Sequence, residues 1–199
     1  MTADQPAPGP YAIVTVASSA GGIRGLTTFL GALGPDFPVP LLLVQHLDPR
    51  HRTVLDEVLE RRTELPVRLA VDGTAAAPGT VYIAPPDRHL LVGPDGVLEL
   101  TSTEPVHFVR PSADRLFESA AHAYGPRTLA CVLTGTGVDG AQGALAVRAA
   151  GGSVIAQDPG TAEFPGMPQA AVDTGAVDFV LPLEEIAAVV SGLVGAKRQ

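Results

Sequence analysis

Five times along this chain an apolar run of strand length is followed by a segment of helical periodicity. That order constrains the fold more than any other feature. Tyr11 to Val16 precedes residues 22–33, where Ile23, Leu26, Phe29, Leu30 and Leu33 recur at helical spacing. "VPLLLVQ" (39–45) precedes "RTVLDEVLERR" (52–62), and "RTLACVLTG" (127–135) precedes "GAQGALAVRAAG" (140–151). "GSVIAQ" (152–157) leads to a short helix near 168–173, and "VDFVLPL" (177–183) to a closing helix that ends about residue 195. Such alternation predicts an α/β fold of three layers, a doubly wound, mostly parallel sheet with helices on both faces. Residues 66–101 break the rhythm. "GTVYIAPPDRHLLVGPDGVLEL" reads as short strands joined by turns, Pro94-Asp95-Gly96 the clearest, and predicts an antiparallel hairpin at one edge of the sheet.

A chain of 199 residues with 46% apolar content can bury one sizeable core. Its 22 glycines and 19 prolines are spread as turn punctuation, and low complexity is confined to Met1–Pro10. The expected organisation is a flexible leader over 1–10 and a single folded domain over 11–195. No stretch approaches the length of a membrane span, and no basic-then-apolar N-terminus marks a secretory signal. A formal charge of −8 argues against nucleic acid or an anionic membrane as the main partner. The single cysteine, Cys131, lies in an apolar run and reads as a buried small hydrophobe, with no partner for a disulfide and no metal-type spacing. These features describe a soluble cytoplasmic domain.

In open parallel sheets, ligands bind in the crevice beyond the carboxyl ends of the strands. Ser18 and Ser19 follow the first strand, His46 the second, and Asp139 lies in the glycine-rich loop "GTGVDGAQG" after "CVLTG". Three loops at one edge thus offer a nucleophile, a base and a carboxylate to orient the base, the set needed for acyl transfer. Taken singly, each residue has an ordinary structural reading. Serine at a strand–helix turn is commonly an N-cap, a histidine there a satisfied polar residue, and Asp139 a cap for a helix starting at Gly140. Their coincidence at successive strand ends favours catalysis.

Rival chemistries fail on the same loops. The first turn lacks the G-x-G-x-x-G of a dinucleotide site, and the second strand ends in His46 where that site needs an acidic residue. No Gly-Lys-Ser/Thr is present for a P-loop. The G-x-S-x-G elbow of α/β-hydrolases is missing, and the order Ser, His, Asp differs from theirs.

The residues resemble those of the CheB-type chemotaxis methylesterases, in their catalytic domain. "VASSAGG" resembles that family's "GASTGG" serine loop, "VQHLDP" its "QHMP" loop, and "LTGTGVDGAQG" its "LTGMGxDGAxG" loop. "VYIAPPDRHLLV", "VHFVRPSADRLFES" and "EFPGMPQAAV" also match family segments, so the likeness runs in order from about residue 11 to residue 193. Gly21-Gly22 sets the register. The resemblance therefore implies Ser19 as nucleophile, His46 as base and Asp139 as its orienting carboxylate, with Ser18, in place of a family alanine, a neighbour or cap. It further implies an oxyanion site built from backbone N–H groups around Ala20, Thr136 and Gly137. Thr136 departs from the methionine common there, a change that leaves a backbone donor intact while altering pocket shape.

The expected function is that of a serine esterase hydrolysing glutamyl methyl esters on the cytoplasmic helices of chemoreceptors, with no metal or organic cofactor. The resemblance leaves open deamidation of receptor glutamines, which family members also perform. Two alternatives stand beside it: a non-catalytic module that docks on a receptor or kinase, and an esterase acting on another protein or a small ester. His107, Arg110 and Met167 lie in family-like segments and are candidates for lining the cleft. His51, His89 and His122 read as surface or helix residues. Only ten residues precede the first strand, so no phosphoacceptor receiver domain is expected within this sequence, and its site is expected to be constitutively open.

Overall fold

The computed structural model describes residues 10–47 and 53–195. The leader expected over 1–10 lies almost wholly outside the described residues, as does His51. In chain order the elements are β1 (Ile13–Ser18), α1 (Gly22–Gly31), β2 (Leu41–Gln45), α2 (Leu55–Glu60), β3 (Val67–Leu69) and β4 (Val81–Ile83). There follow β5 (His89–Val92), β6 (Leu98–Thr101), α3 (Ala113–Tyr124), β7 (Thr128–Val132) and α4 (Ala141–Ala149). The chain closes with β8 (Ser153–Gln157), α5 (Gly166–Asp173), β9 (Phe179–Leu181) and α6 (Leu183–Gly195). None of these helices is long and apolar enough to cross a membrane.

Seven strands form one sheet in the order β3-β4-β2-β1-β7-β8-β9, and every pairing in it is parallel. Residues on β1 alternate between the two faces, and both faces are buried, which is why the strand reads as an unbroken apolar run. Val14 and Val16 pack with α1, α2 and α6 through Leu26, Phe29, Leu59 and Val190. Ile13 and Ala17 pack on the opposite side with α3, α4 and α5 through Leu116, Phe117, Val147 and Met167. The three-layer architecture is thus the expected one. Cys131 is fully buried, and burial pushes its thiol pKa up to about 12, so it serves as an inert apolar group.

The expected antiparallel hairpin is present, with β5 and β6 paired and Gly96 at φ 74° in the turn, and it forms a two-stranded sheet separate from the main one. Leu90, Val92 and Leu98 have no exposed surface to speak of because they join the apolar cluster that also holds α3. The hairpin therefore covers a face of the molecule, while β4 and β3 continue the main sheet on that side. Helix α3 also lies outside the expected alternation, because no apolar strand run leads into it.

From β1 the chain winds outward through β2, and it later returns to β7 on the other side of β1. The carboxyl ends of β1 and β7 thus border the point where the winding reverses, where such sheets open a crevice.

Candidate active site

Ser18 and Gln45 are register partners at the ends of β1 and β2, and the His46 N–H donates to the Ser18 carbonyl at 3.2 Å. Ser19 and His46 are therefore the next residues off two neighbouring strands, with backbones roughly 5 Å apart. On the other side, the Ser19 N–H donates to the Thr134 carbonyl at 3.0 Å. One side chain holds the first two loops together. The Gln45 amide nitrogen donates to the carbonyls of Ser19 (2.9 Å) and His46 (3.0 Å), and its oxygen accepts the Ser18 hydroxyl at 2.7 Å. A Cβ at Gly22 would fall on that amide oxygen, so the helix start must be glycine for Gln45 to reach across. Ser18 is accordingly fully buried and caps no helix; Gly21, at φ 72°, is the N-cap of α1, and no side chain caps that end.

His46 Nε2 lies 2.8 Å from Asp139 Oδ2. Asp139 also accepts the Ala113 N–H at 2.6 Å, the Ser112 hydroxyl at 2.8 Å and the Asp114 N–H at 3.1 Å. Burial alone would raise the Asp139 pKa, but the bonds from His46, Ala113, Asp114 and Ser112 outweigh it and hold the carboxyl below its ordinary value of 3.8. An ionised carboxylate only accepts hydrogen bonds, so in the neutral ring Nε2 of His46 carries the proton and Nδ1 the lone pair. The nitrogen free to act as a base is Nδ1, the reverse of the usual serine-protease arrangement.

Asp139 does not cap the helix that follows it. Gly140, at φ 98°, is the N-cap of α4, and the Asp139 side chain instead closes the N-terminus of α3. Asp114, in the first turn of α3, reciprocates: its Oδ1 accepts the N–H groups of Gly140 (2.9 Å) and Gly143 (2.7 Å) at the start of α4. Two helix N-termini and two carboxylates thus meet at one point, each carboxylate using the donors and dipole of the other's helix. Burial and the nearby Asp139 charge push the Asp114 pKa up, against the bonds from Gly143 and Gly140. Gly143 permits the approach, since a Cβ there would stand 2.6 Å from Cβ of Phe117 and 3.1 Å from Cα of Asp114.

The loop after β7 passes close to Ser19. A Cβ on Gly135 would stand 2.9 Å from Cβ of Ser19 and would overlap Sδ of Met167. Met167 is fully buried, and its N–H donates to the Gly135 carbonyl at 2.8 Å; it is a floor beneath the loop, not a cleft wall. Gly166 leaves equally little room, a Cβ there meeting the Gly137 nitrogen at 3.0 Å. Among the described residues, the N–H groups of Ala20, Thr136 and Gly137 donate to no backbone carbonyl. Thr136 and Gly137 are exposed, Ala20 half-buried. Unused donors around a serine at a helix N-terminus are what a developing oxyanion requires.

Arg110 borders the same cleft as His46, but its guanidinium is occupied by Asp87 and by the carbonyls of Ser102 and Thr103. His107 Nε2 approaches Asp114 Oδ2 at 3.2 Å. His122 is exposed on α3, as expected. His89 is not a surface residue: it is fully buried in β5, where Nδ1 accepts the Ser112 N–H at 3.1 Å and Nε2 bonds the Glu104 carbonyl at 3.1 Å. Burial lowers its pKa, which suits a neutral ring.

Comparison with known proteins agrees with this geometry. The family model for CheB methylesterase matches residues 14–190. The chain belongs to that family. It is 44% identical over 184 residues to protein-glutamate methylesterase/protein-glutamine glutaminase 1 of Paramagnetospirillum magneticum, covering 90% of this chain and 48% of that one. It is 42% identical over 181 residues to protein-glutamate methylesterase FrzG of Myxococcus xanthus, covering 91% and 54%. The chain thus spans about half the length of these curated relatives. The crystal structure of the Thermotoga maritima CheB methylesterase catalytic domain superposes with a TM-score of 0.88 at 38% identity, covering 92% of this chain and 99% of that one.

Within this CheB-family domain, sequence reasoning missed Gln45, Ser112, Asp114 and His89. Ser112 carried a signal, since a serine after proline at the start of an apolar-periodic stretch is an N-cap pattern. It occupies the N-cap position of α3 but spends its hydroxyl on Asp139. Gln45 and His89 are visible only as polar residues inside strands, where no local rule assigns them a partner.

Proposed function

We propose that this chain is a serine esterase hydrolysing glutamyl γ-methyl esters on the cytoplasmic domains of chemoreceptors, with residues 11–195 as the catalytic unit. The observation that carries the reading is the His46–Asp139 bond of 2.8 Å, which fixes Nε2 as the donor and so turns Nδ1 into the basic nitrogen of the neutral ring, one residue off the strand that pairs with the one before Ser19. In the proposed mechanism Ser19 Oγ attacks the ester carbonyl while Nδ1 of His46 takes its proton. Asp139 holds the ring and stabilises its cationic form. The N–H groups of Ala20, Thr136 and Gly137 receive the oxyanion. Collapse of the tetrahedral intermediate returns the proton from His46 to the leaving oxygen, releasing methanol and leaving an acyl-enzyme on Ser19. Water, deprotonated by the same nitrogen, then cleaves the acyl bond to give glutamate and free serine.

Relatives named as both methylesterase and glutaminase support the same cycle acting on glutamine, with ammonia leaving in place of methanol. The full Ser19, His46 and Asp139 set favours catalysis over docking alone. The test is methanol release from methylated receptor: the parent chain should release it, and Ser19→Ala should not. Release by both proteins would remove Ser19 from the mechanism.

A further inference from the structure

The segment 105–111 between β6 and α3 forms a tight turn whose tip is His107-Phe108. The N–H and carbonyl groups of Val106 and Val109 exchange bonds of 3.1 and 2.9 Å, so the turn closes as a two-residue hairpin. Both central residues have positive φ, 50° for His107 and 66° for Phe108, a region that bulky side chains rarely occupy. Asn-Gly or Asp-Gly would fit this turn without strain.

Two other side chains of the turn are held. His107 reaches inward to Asp114 Oδ2 at 3.2 Å. Arg110 binds Asp87 at 2.6 and 2.9 Å and the carbonyls of Ser102 and Thr103 at 3.0 and 2.9 Å. Phe108, by contrast, is 100% exposed. It stands on the rim of the cleft that also contains His46, Leu47, Val109 and Arg110. A rigid turn, strained to hold an aromatic ring in water beside the base of the reaction, is the arrangement of a pre-organised contact residue.

We propose that Phe108 anchors a polypeptide substrate by packing on an apolar side chain that flanks the ester-bearing glutamate. This rests on the esterase reading above and adds to it a residue that recognises the polypeptide around the ester. A free glutamyl ester at His46 has no flanking side chain to reach the rim, whereas a chain carrying that glutamate can extend along the cleft from His46 to Phe108. The cleft that holds His46 thus continues to Phe108. Burying an exposed aromatic at the centre of a contact is the kind of interaction whose removal costs roughly tenfold in affinity.

The experiment measures methanol release by the full chain from three probes. One is a helical peptide bearing glutamyl γ-methyl esters flanked by leucine; the second is the same peptide with serine flanks; the third is N-acetylglutamate amide γ-methyl ester. Phe108→Asn is the test variant, since asparagine suits the turn's backbone and keeps it folded, and Phe108→Leu is a second that retains an apolar tip. Phe108→Asn should lower kcat/KM for the leucine-flanked peptide roughly tenfold through KM, leave the small ester unchanged, and abolish the preference over the serine-flanked peptide. Phe108→Leu should recover part of that preference. Equal rates for parent and Phe108→Asn on the leucine-flanked peptide would overturn the anchor, and so would an equal loss on all three probes. If the parent releases methanol from no probe, the esterase reading falls and takes the anchor with it, an outcome recognised without any variant.

Discussion

Asp139 and Asp114 exchange helix caps. Asp139, which precedes α4, closes the N-terminus of α3 through Ala113 and Asp114; Asp114, on α3, closes α4 through Gly140 and Gly143. The carboxylate bonded to His46 is therefore fixed by the packing of two helices and not by its own loop. The two acids respond to this shared site in opposite directions: Asp139 titrates below 3.8 and Asp114 above it.

Opposite shifts give opposite pH dependences of stability. In the window from 3.8 down to the lower Asp139 pKa, the unfolded chain binds a proton there that the folded chain does not, so stability falls as pH falls. In the window from 3.8 up to the higher Asp114 pKa, the folded chain binds the extra proton, so stability falls as pH rises. Each slope is at most about 1.4 kcal/mol per pH unit. Urea unfolding across pH should therefore show Asp139→Asn flattening the acid side of 3.8 and Asp114→Asn flattening the side above it. Identical profiles for the two variants would refute the assignment.

Adjacent serines should separate activity from stability. Ser19→Ala should cost about 10⁴-fold in ester hydrolysis with little change in unfolding free energy. Ser18→Ala strands the buried oxygen of Gln45, which accepts its hydroxyl at 2.7 Å, and should cost about 1–3 kcal/mol of stability while keeping most activity. Rate assays and urea unfolding on both variants decide it. A dead Ser18→Ala with an active Ser19→Ala would shift the nucleophile by one residue.

Ser112 should behave as a positioning residue for Asp139. Removing its hydroxyl deletes the 2.8 Å bond to Asp139 Oδ1 without touching substrate. Ser112→Ala should lower kcat roughly tenfold at constant KM, as loss of an outer hydrogen bond to a working group commonly does. Ser112→Thr, which keeps the hydroxyl, should restore most of it. Steady-state kinetics with an increase in KM alone would contradict this role.

Gly143 should tolerate no side chain. Its Cβ would stand 2.6 Å from Phe117, between helices that hold Asp114 and Asp139 in place. Gly143→Ala replaces a poor helix former with the best, which on propensity alone would stabilise the chain by about 1 kcal/mol. Overpacking should reverse the sign, giving a net loss of about 1–3 kcal/mol and reduced ester hydrolysis. A thermal midpoint at or above the parent's would show that the helices can part without consequence.

The strands β1, β2, β7 and β8 were legible in the sequence because each is buried on both faces and so appears as an unbroken apolar run. Parallel order, helices on both sides and the placing of Ser19 and His46 just beyond two strand ends follow from that alternation, since a side chain at the carboxyl end of a central strand has only the crevice to enter. The hairpin's existence was equally local, set by Pro94-Asp95-Gly96. Its place was not: whether Leu90 and Val92 edge a sheet or cover a helix depends on what α3 presents to them, which is a contact between distant segments. The same holds for the polar groups. Ser18 and Asp139 each had a sound local reading as a cap for the helix that follows, and each bonds elsewhere, to Gln45 from 27 residues away and to Ser112 from 27 residues away. Local rules assign a polar side chain to the nearest unpaired backbone group. A glycine N-cap at Gly21 and Gly140 released both side chains from that duty, and only the packing of neighbouring strands and helices decided where they went.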